Sequence, residues 1–155
     1  MIRLVFALRR QPHLTLAEFQ DYWLYQHAPL VASFATDLNI LRYIQTHTIE
    51  SRLNEAAQKA RGKMEPHYDG VAELWWSSEA DLTNQMESKE VKAAKASAAL
   101  IEDESKFVDL PRSPLWLAYE YPQINPSPEN ISAKPKSNIL RAFFPVRHHL
   151  KLSEE

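Results

Sequence analysis

Four short segments with strand character and two long segments with helical character follow one another in residues 1–121. The strand segments are rich in branched and aromatic residues, and they cover residues 2–8, 41–49, 68–76 and 115–121. The helical segments cover about 15–36 and about 78–107. The order strand, helix, strand, strand, helix, strand predicts an α+β fold, a ferredoxin-like βαββαβ sandwich with its helices on one face of the sheet.

The first helical segment carries a start signal and a break. Thr15 and Glu18 have the spacing of a capping box, in which each side chain accepts a hydrogen bond from the other residue's backbone N–H. Pro29 should bend or break the helix, because proline lacks the amide donor and crowds the preceding turn. The apolar stripe follows a period of about 3.6 residues and consists of Leu16, Phe19, Trp23, Leu30 and Phe34.

Residues 122–155 differ in composition from the rest of the chain. Residues 123–137 are rich in proline and serine, which is typical of a linker. The end of the chain is apolar again and echoes the N-terminal strand, with Phe143 at the position equivalent to Phe6. We interpret 1–121 as one domain and the remainder as a linker and C-terminal arm. The echo is a chance match, a partial repeat, or a strand that joins the edge of a partner's sheet.

Composition excludes several classes of protein. The 155 residues contain no cysteine, which excludes disulfide scaffolds, thiol catalysis and thiolate metal sites. Two glycines cannot form a G-x-G-x-x-G loop, and a formal net charge of −2 argues against a nucleic-acid-binding protein. The apolar runs are too short for a membrane span or a signal peptide. We therefore expect a cytoplasmic protein that binds neither nucleic acid nor membrane.

One face of the predicted sheet has no helix to cover it. Tyr43, Val71 and Trp75 are among the large side chains expected there. An apolar face of this size normally packs against a partner, and the simplest partner is a second copy of the chain. We therefore expect a homodimer in which two sheets pack face to face.

His27 is the first candidate for chemistry. It lies four residues after Trp23 and eight after Phe19, which places it on the apolar stripe that faces the sheet. Burial lowers the pKa of an imidazole and favours the neutral form, which can accept a proton. On spacing alone, two interpretations are open: a core histidine that bonds a backbone carbonyl, and a general base.

Side chains in the second and third strands alternate between the two faces of the sheet. We place Leu74 and Trp76 on the helix face with His27. Arg42 and Thr46 are expected on the same face, where they would hydrogen-bond a substrate oxygen. The resulting pocket is aromatic and aliphatic with one base, which suits a flat aromatic or lactone substrate.

The opposite face is expected to hold Tyr43, His47, Asp69 and Glu73. Histidine and carboxylates on one face raise a metal site as one interpretation. A second interpretation is pairing across the dimer interface, with Glu73 bonded to His47 or Tyr43, because a buried acid without a partner is costly. His47 is also a candidate for a second acid or base.

Several motifs together resemble the EthD family. They are Tyr22-Trp23 followed by His27-Ala28-Pro29 in the first helix, and Asp69-Gly70 with Glu73 and Trp75 in the third strand. The resemblance covers residues 2–121 with every segment in order, and the arm that begins at Pro122 lies outside it.

This resemblance implies a dimeric α/β barrel built from ferredoxin-like halves. Family members occur in pathways that degrade ether fuels, and fungal relatives are dehydratases in aromatic polyketide assembly. Related barrels include muconolactone-type isomerases, polyketide cyclases, cofactor-free monooxygenases and haem enzymes, so the fold alone fixes no chemistry. The helix motif resembles one that carries a functional histidine in related isomerases, which favours the functional interpretation of His27.

We therefore expect a cofactor-free acid/base enzyme of the dehydratase, isomerase or cyclase type, acting on a small aromatic, lactone or polyketide-like molecule. The predicted catalytic residues are His27, His47 and Thr46, with no cofactor and no metal. The predicted substrate-binding residues are Trp23, Arg42, Tyr43, Glu73, Leu74 and Trp76. Two alternatives stay open: an oxygenase, haem-dependent or cofactor-free, and a non-catalytic dimer that binds a small molecule.

Overall fold

A computed structural model describes residues 1–87, 91–121, 123–124 and 142–146. The chain divides into two compact units, Met1–Tyr121 and Pro122–Glu155. In the second unit, none of the described residues belongs to a helix or a strand. Most of the predicted linker, and most of the predicted echo of the N-terminal strand, lies outside the described residues.

One four-stranded sheet forms the centre of the first unit. Its strands are β1 (Ile2–Leu8), β2 (Arg42–His47), β3 (Gly70–Trp76) and β4 (Leu115–Ala118). All neighbouring strands are antiparallel, and their order in the sheet is β2-β3-β1-β4. Each strand lies within a segment for which the sequence predicts one. Together with the helices, this order confirms the predicted α+β, ferredoxin-like fold.

The first helical segment contains a π-helical turn. Helix α1 (Leu16–Tyr22) begins at the predicted capping box, and the chain continues through the π turn (Trp23–His27) into α2 (Ala28–Ser33). The first amide of α2 donates to the carbonyl of Trp23, five residues earlier. The turn comes just before Pro29, whose ring crowds the preceding turn. The predicted disruption is therefore a widened turn inside a continuous helical segment.

Three further α-helices are described in the first unit. They are α3 (Arg52–Lys59), α4 (Glu79–Glu87) and α5 (Val91–Glu104). The described helices of the segment predicted over 78–107 are α4 and α5. No helix in the described part of the chain combines the length and the apolar character that crossing a membrane requires.

The helical segment packs closely on β3 through Trp23. A Cβ atom at Gly70 would lie 2.5 Å from Cζ3 of the Trp23 ring and 3.0 Å from the carbonyl oxygen of Thr46. Glycine therefore makes room for the indole at this crossing. Residues paired directly across β2 and β3 share a face, and the pairs on the helix face are Tyr43–Leu74, Gln45–Ala72 and His47–Gly70.

The predicted faces of β2 are wrong. Tyr43 and His47 lie on the helix face, whereas Arg42 and Thr46 lie on the opposite face. Alternation along a strand separates its side chains into two sets, but it does not tell which set faces the helices. That choice depends on the register with β3, and a shift of one residue exchanges the two faces.

Candidate active site

A small cavity of about 50 Å³, partly open to solvent, lies between the helix face of the sheet and the helices. Three residues that line it carry titratable groups, His27, Tyr43 and Glu104. An apolar cavity with a few convergent polar groups is the usual form of a small-molecule site. The remaining wall is apolar and consists of Phe6, Leu8, Trp23, Val31, Ala72, Leu74, Leu100 and Val108.

Asp103 holds the buried ring of His27 in one orientation. Nδ1 of His27 lies 2.9 Å from Oδ2 of Asp103. Because a carboxylate only accepts hydrogen bonds, Nδ1 carries the proton and donates, and Nε2 of the neutral ring keeps its lone pair. Burial lowers the pKa of His27, and Asp103 partly offsets this effect. The imidazole is therefore available as a base near neutral pH.

Both carboxylate oxygens of Asp103 are engaged. The hydroxyl of Tyr22 and the ammonium of Lys106 donate to Oδ1 at 2.7 and 3.1 Å, while His27 donates to Oδ2. Burial favours the protonated form, but the donors outweigh it and lower the pKa of Asp103. Asp103 is therefore a carboxylate at neutral pH, and its part is to fix the ring of His27.

Glu104 lies beside the free nitrogen of His27. Its Oε1 is 4.0 Å from Nε2 of His27. Burial, and then the charge of Asp103, raise the pKa of Glu104 to about 7. A substantial fraction of Glu104 is therefore protonated at neutral pH. A group that accepts a proton and a group that donates one face the same cavity, which is the arrangement that acid/base catalysis requires.

Tyr43 lines the cavity on its sheet side. Its hydroxyl lies 3.0 Å from Nε1 of Trp23 and 2.9 Å from Nε2 of Gln45. Burial is the main reason that the pKa of Tyr43 is raised to about 12. His47 is outside the cavity wall, because its ring stacks on Trp23 with 4.5 Å between the centroids and Nε2 bonds Oε1 of Gln45 at 2.9 Å.

The structure brings part of the predicted site together. The predicted residues that line the cavity are His27, Trp23, Tyr43 and Leu74, and their roles stay predictions. Arg42 stacks on Trp75 at 4.8 Å on the opposite face, and Thr46 shares that face. The prediction that Arg42 and Thr46 bind a substrate oxygen beside His27 is therefore wrong, and its cause is the reversed face of β2.

Glu73 and Trp76 also lie away from the cavity. Glu73 is buried and pairs with Arg3 at 2.8 Å, so the predicted bond to a histidine or tyrosine of β2 is wrong. Those residues of β2 lie on the other face of the sheet. Trp76 is on the helix face, as predicted, but it packs against Leu82 of α4 in a separate part of the core.

The interpretation of His47 and Glu73 as ligands of one metal site also fails, because the predicted faces of β2 are reversed. It requires His47 and Glu73 on one face, and the register places them on opposite faces. Among the residues that the structure describes, no three His, Asp or Glu side chains are grouped so that they could hold a metal ion.

Sequence reasoning missed Asp103 and Glu104. Both lie in the last turn of α5, next to Glu102. Negative charge is unfavourable there, because the C-terminal end of a helix carries a partial negative charge. Three consecutive acids at a predicted helix C-terminus could therefore have indicated a role for these residues other than helix stability.

The model of the EthD domain matches residues 11–111, which is well over half of the chain. The chain belongs to the EthD family. The matched range contains His27, Asp103, Glu104 and Tyr43, so the polar groups of the cavity lie within the EthD domain itself. The resemblance seen in the sequence motifs is confirmed.

Solved structures are similar to this EthD protein in fold. An ethyl tert-butyl ether D (EthD) family protein from Bacillus halodurans C-125 is 19% identical with a TM-score of 0.52, and the match covers 78% of this chain and 100% of that chain. HapK from Hahella chejuensis is 11% identical with a TM-score of 0.49, over 82% and 99% of the two chains. An EthD-like protein from Ralstonia eutropha JMP134 is 11% identical with a TM-score of 0.48, over 81% and 96%. The curated proteins include no match to the chain.

Proposed function

We propose that this EthD protein is an acid/base enzyme of the isomerase or lyase type, acting on a small aromatic, lactone or polyketide-like molecule. One observation supports this proposal above all. His27 lies in an apolar cavity with Nδ1 fixed by Asp103 and Nε2 facing the carboxyl group of Glu104 at 4.0 Å. A base and an acid are thus held at one site with an otherwise apolar wall.

In this proposal each group has one task. Nε2 of His27 takes a proton from a carbon or hydroxyl of the substrate, and the resulting imidazolium is stabilised by the carboxylate of Asp103. Glu104, in its protonated form, supplies a proton at a second position. General acid/base catalysis of this kind contributes about 10²- to 10⁴-fold in rate.

The test is hydrogen–deuterium exchange at the carbon next to the carbonyl of 2-tetralone, a flat aromatic ketone, followed by proton NMR in D₂O. We expect the full chain to accelerate exchange, and His27→Gln to reduce that acceleration by about 10²-fold or more, because the base is lost. His13→Gln is the matched control, since His13 is exposed and does not line the cavity.

Four results would contradict the proposal or favour an alternative. Exchange that persists in His27→Gln, or no acceleration by the natural chain, would contradict it. Binding of 2-tetralone without exchange would favour the non-catalytic alternative. A Soret band that appears on adding haemin, and is lost in His27→Gln, would favour the haem alternative.

We also propose that the protein functions as a homodimer. The exposed apolar side chains of β4 support this, because Leu115, Trp116 and Leu117 are 54%, 37% and 44% exposed, and exposed apolar patches mark interaction surfaces. Trp116 is paired with Val5, on the face away from the helices.

Sedimentation velocity should show a dimer that Trp116→Glu converts to monomer, while the control Tyr25→Glu, on the exposed side of the π turn, leaves it intact. A monomeric natural chain would contradict the proposal.

A further inference from the structure

The hydroxyl of Tyr43 accepts two hydrogen bonds. One comes from Nε1–H of Trp23 at 3.0 Å, and the other from the amide group of Gln45 at 2.9 Å. An indole N–H and an amide NH₂ are donors only. The oxygen of Tyr43 is therefore the acceptor in both contacts, and both of its lone pairs are used.

The orientation of Gln45 is fixed by its other neighbours. Its amide nitrogen lies 2.9 Å from the backbone carbonyl of Trp23, which only accepts. Oε1 of Gln45 must then point the other way, to Nε2 of His47 at 2.9 Å. Since Oε1 only accepts, Nε2 of His47 carries a proton. Burial lowers the pKa of His47, so the neutral ring with its proton on Nε2 is the form at neutral pH.

The phenolic proton of Tyr43 is therefore left to donate. Within the described residues, no acceptor for it lies at hydrogen-bond distance. Burial raises the pKa of Tyr43 to about 12, so the proton stays in place at physiological pH. Tyr43 lines the same cavity as His27 and Glu104. The chain from His47 through Gln45 polarises the hydroxyl, because each bond in such a series strengthens the next.

We propose that Tyr43 donates a hydrogen bond to the carbonyl oxygen of the substrate, which makes the substrate a ketone or lactone with an acidic C–H beside its carbonyl. This inference rests on the proposed function of His27. Nε2 of His27 removes the proton, the C–H electron pair forms the new C=C bond, and the C=O π pair moves onto oxygen. Tyr43 stabilises the resulting enolate oxygen, and a proton is then returned to carbon from His27 or Glu104. Gln45 and His47 are positioning residues: His47 orients Gln45, and Gln45 donates to the oxygen of Tyr43, so the hydroxyl proton is free to bind the substrate.

The first experiment determines the tautomer of His47 by ¹⁵N NMR of the full chain, with the signal assigned by its loss in His47→Gln. We expect the proton on Nε2. A proton on Nδ1 would reverse Gln45, allow Tyr43 to donate to its amide oxygen, and overturn the inference.

The second experiment measures the infrared carbonyl stretch of bound, ¹³C-labelled 2-tetralone. We expect a lower frequency than in an apolar solvent, a still lower one in Tyr43→3-fluorotyrosine, and a higher one in Tyr43→Phe. The fluorinated side chain keeps both accepted bonds and is a stronger donor, so it separates donation from folding. Tyr25→Phe, at an exposed tyrosine, is the control. A frequency that none of the changes at position 43 moves, or a cavity that takes up no 2-tetralone at millimolar concentration, would overturn the inference.

Exchange kinetics separate this inference from the proposed function. If both hold, Tyr43→Phe lowers the rate of exchange by about 10²- to 10³-fold, and His27→Gln lowers the acceleration by about 10²-fold or more while keeping the carbonyl shift. Exchange that requires His27 with no dependence of the carbonyl band on Tyr43 would overturn the inference alone. A carbonyl shift that depends on Tyr43, with exchange that survives in His27→Gln, would overturn the proposed function.

Discussion

Two adjacent acids, Asp103 and Glu104, have opposite pKa shifts. Three donors, His27, Tyr22 and Lys106, surround Asp103 and lower its pKa in spite of burial. Glu104 is partly buried beside the charge of Asp103, and its pKa is raised to about 7. Identical chemistry at neighbouring positions thus yields a permanent carboxylate and a proton donor, because hydrogen bonding dominates at one and desolvation at the other.

The carboxylate of Asp103 should control the basicity of His27. Asp103→Asn removes the charge that partly offsets burial, so the pKa of His27 should fall further below its usual value, and the exchange of 2-tetralone should slow by about 10²-fold. NMR titration of the His27 ring measures the first effect. Asp37→Asn, at an exposed aspartate, is the matched control. An unchanged pKa of His27 in Asp103→Asn would contradict this role.

Among the secondary-structure elements, the contact between the π turn and β3 positions the site. Gly70 faces the ring of Trp23 at a distance that excludes a methyl group. Trp23 in turn contacts both Tyr43, through its indole N–H, and His47, through stacking. The fit of one helical segment on one strand therefore sets the place of the polar groups on the sheet side of the cavity.

Gly70→Ala tests this contact. The new methyl group would overlap Trp23 and approach the carbonyl of Thr46, so we expect the free energy of unfolding to drop by about 1 to 3 kcal/mol. Urea denaturation measures the loss. In a Trp23→Leu background the same substitution should lower the free energy of unfolding much less, because the indole ring that the new methyl group would overlap is absent. Equal costs in the two backgrounds would show that the close approach is not what limits position 70.

Local patterns in the sequence predict most of the fold and part of the site. The capping box at Thr15, the first part of the apolar stripe (Phe19 and Trp23) and the four strand segments are local, and all appear in the structure. After the π turn the buried residue is Val31 and not the predicted Leu30. His27 lies on the sheet-facing side because the stripe fixes its place. The face of β2 depends on its register with β3, and the partnership of His27 with Asp103 joins residues 76 positions apart. Neither is encoded in any single segment.

The cavity is a property of the whole first unit. Its polar groups come from the π turn, from β2 and from the end of α5, and they meet only when both helical segments are docked on the sheet. Contacts this distant in sequence form late and are lost together when a small domain unfolds cooperatively. The titration of buried groups in the cavity is therefore coupled to the stability of the entire unit.

The raised pKa of Glu104 has a definite sign for stability. Between the ordinary pKa of 4.5 and about 7, the folded chain binds this proton more tightly than the unfolded chain does. The contribution is complete at low pH and is lost as pH rises through 7. On going from pH 4 to pH 8, the free energy of unfolding of Glu104→Gln should therefore rise by about 1 to 3 kcal/mol relative to that of the natural chain. Urea denaturation at both pH values measures this gain, with Glu102→Gln on the exposed side of α5 as control. A pH-independent difference would contradict the assignment.

The number of residues in the π turn sets the rotation of α1 relative to α2. An α-helix advances about 100° per residue, so deleting one residue from the five of this turn would rotate α1 by that angle relative to α2. Leu24 is 43% exposed, and replacing its side chain should matter little. Deleting it would turn Trp23 away from Gly70 or His27 away from Asp103. The orientation of Trp23 and His27 therefore depends on the number of residues in the turn more than on the identity of its solvent-exposed side chains.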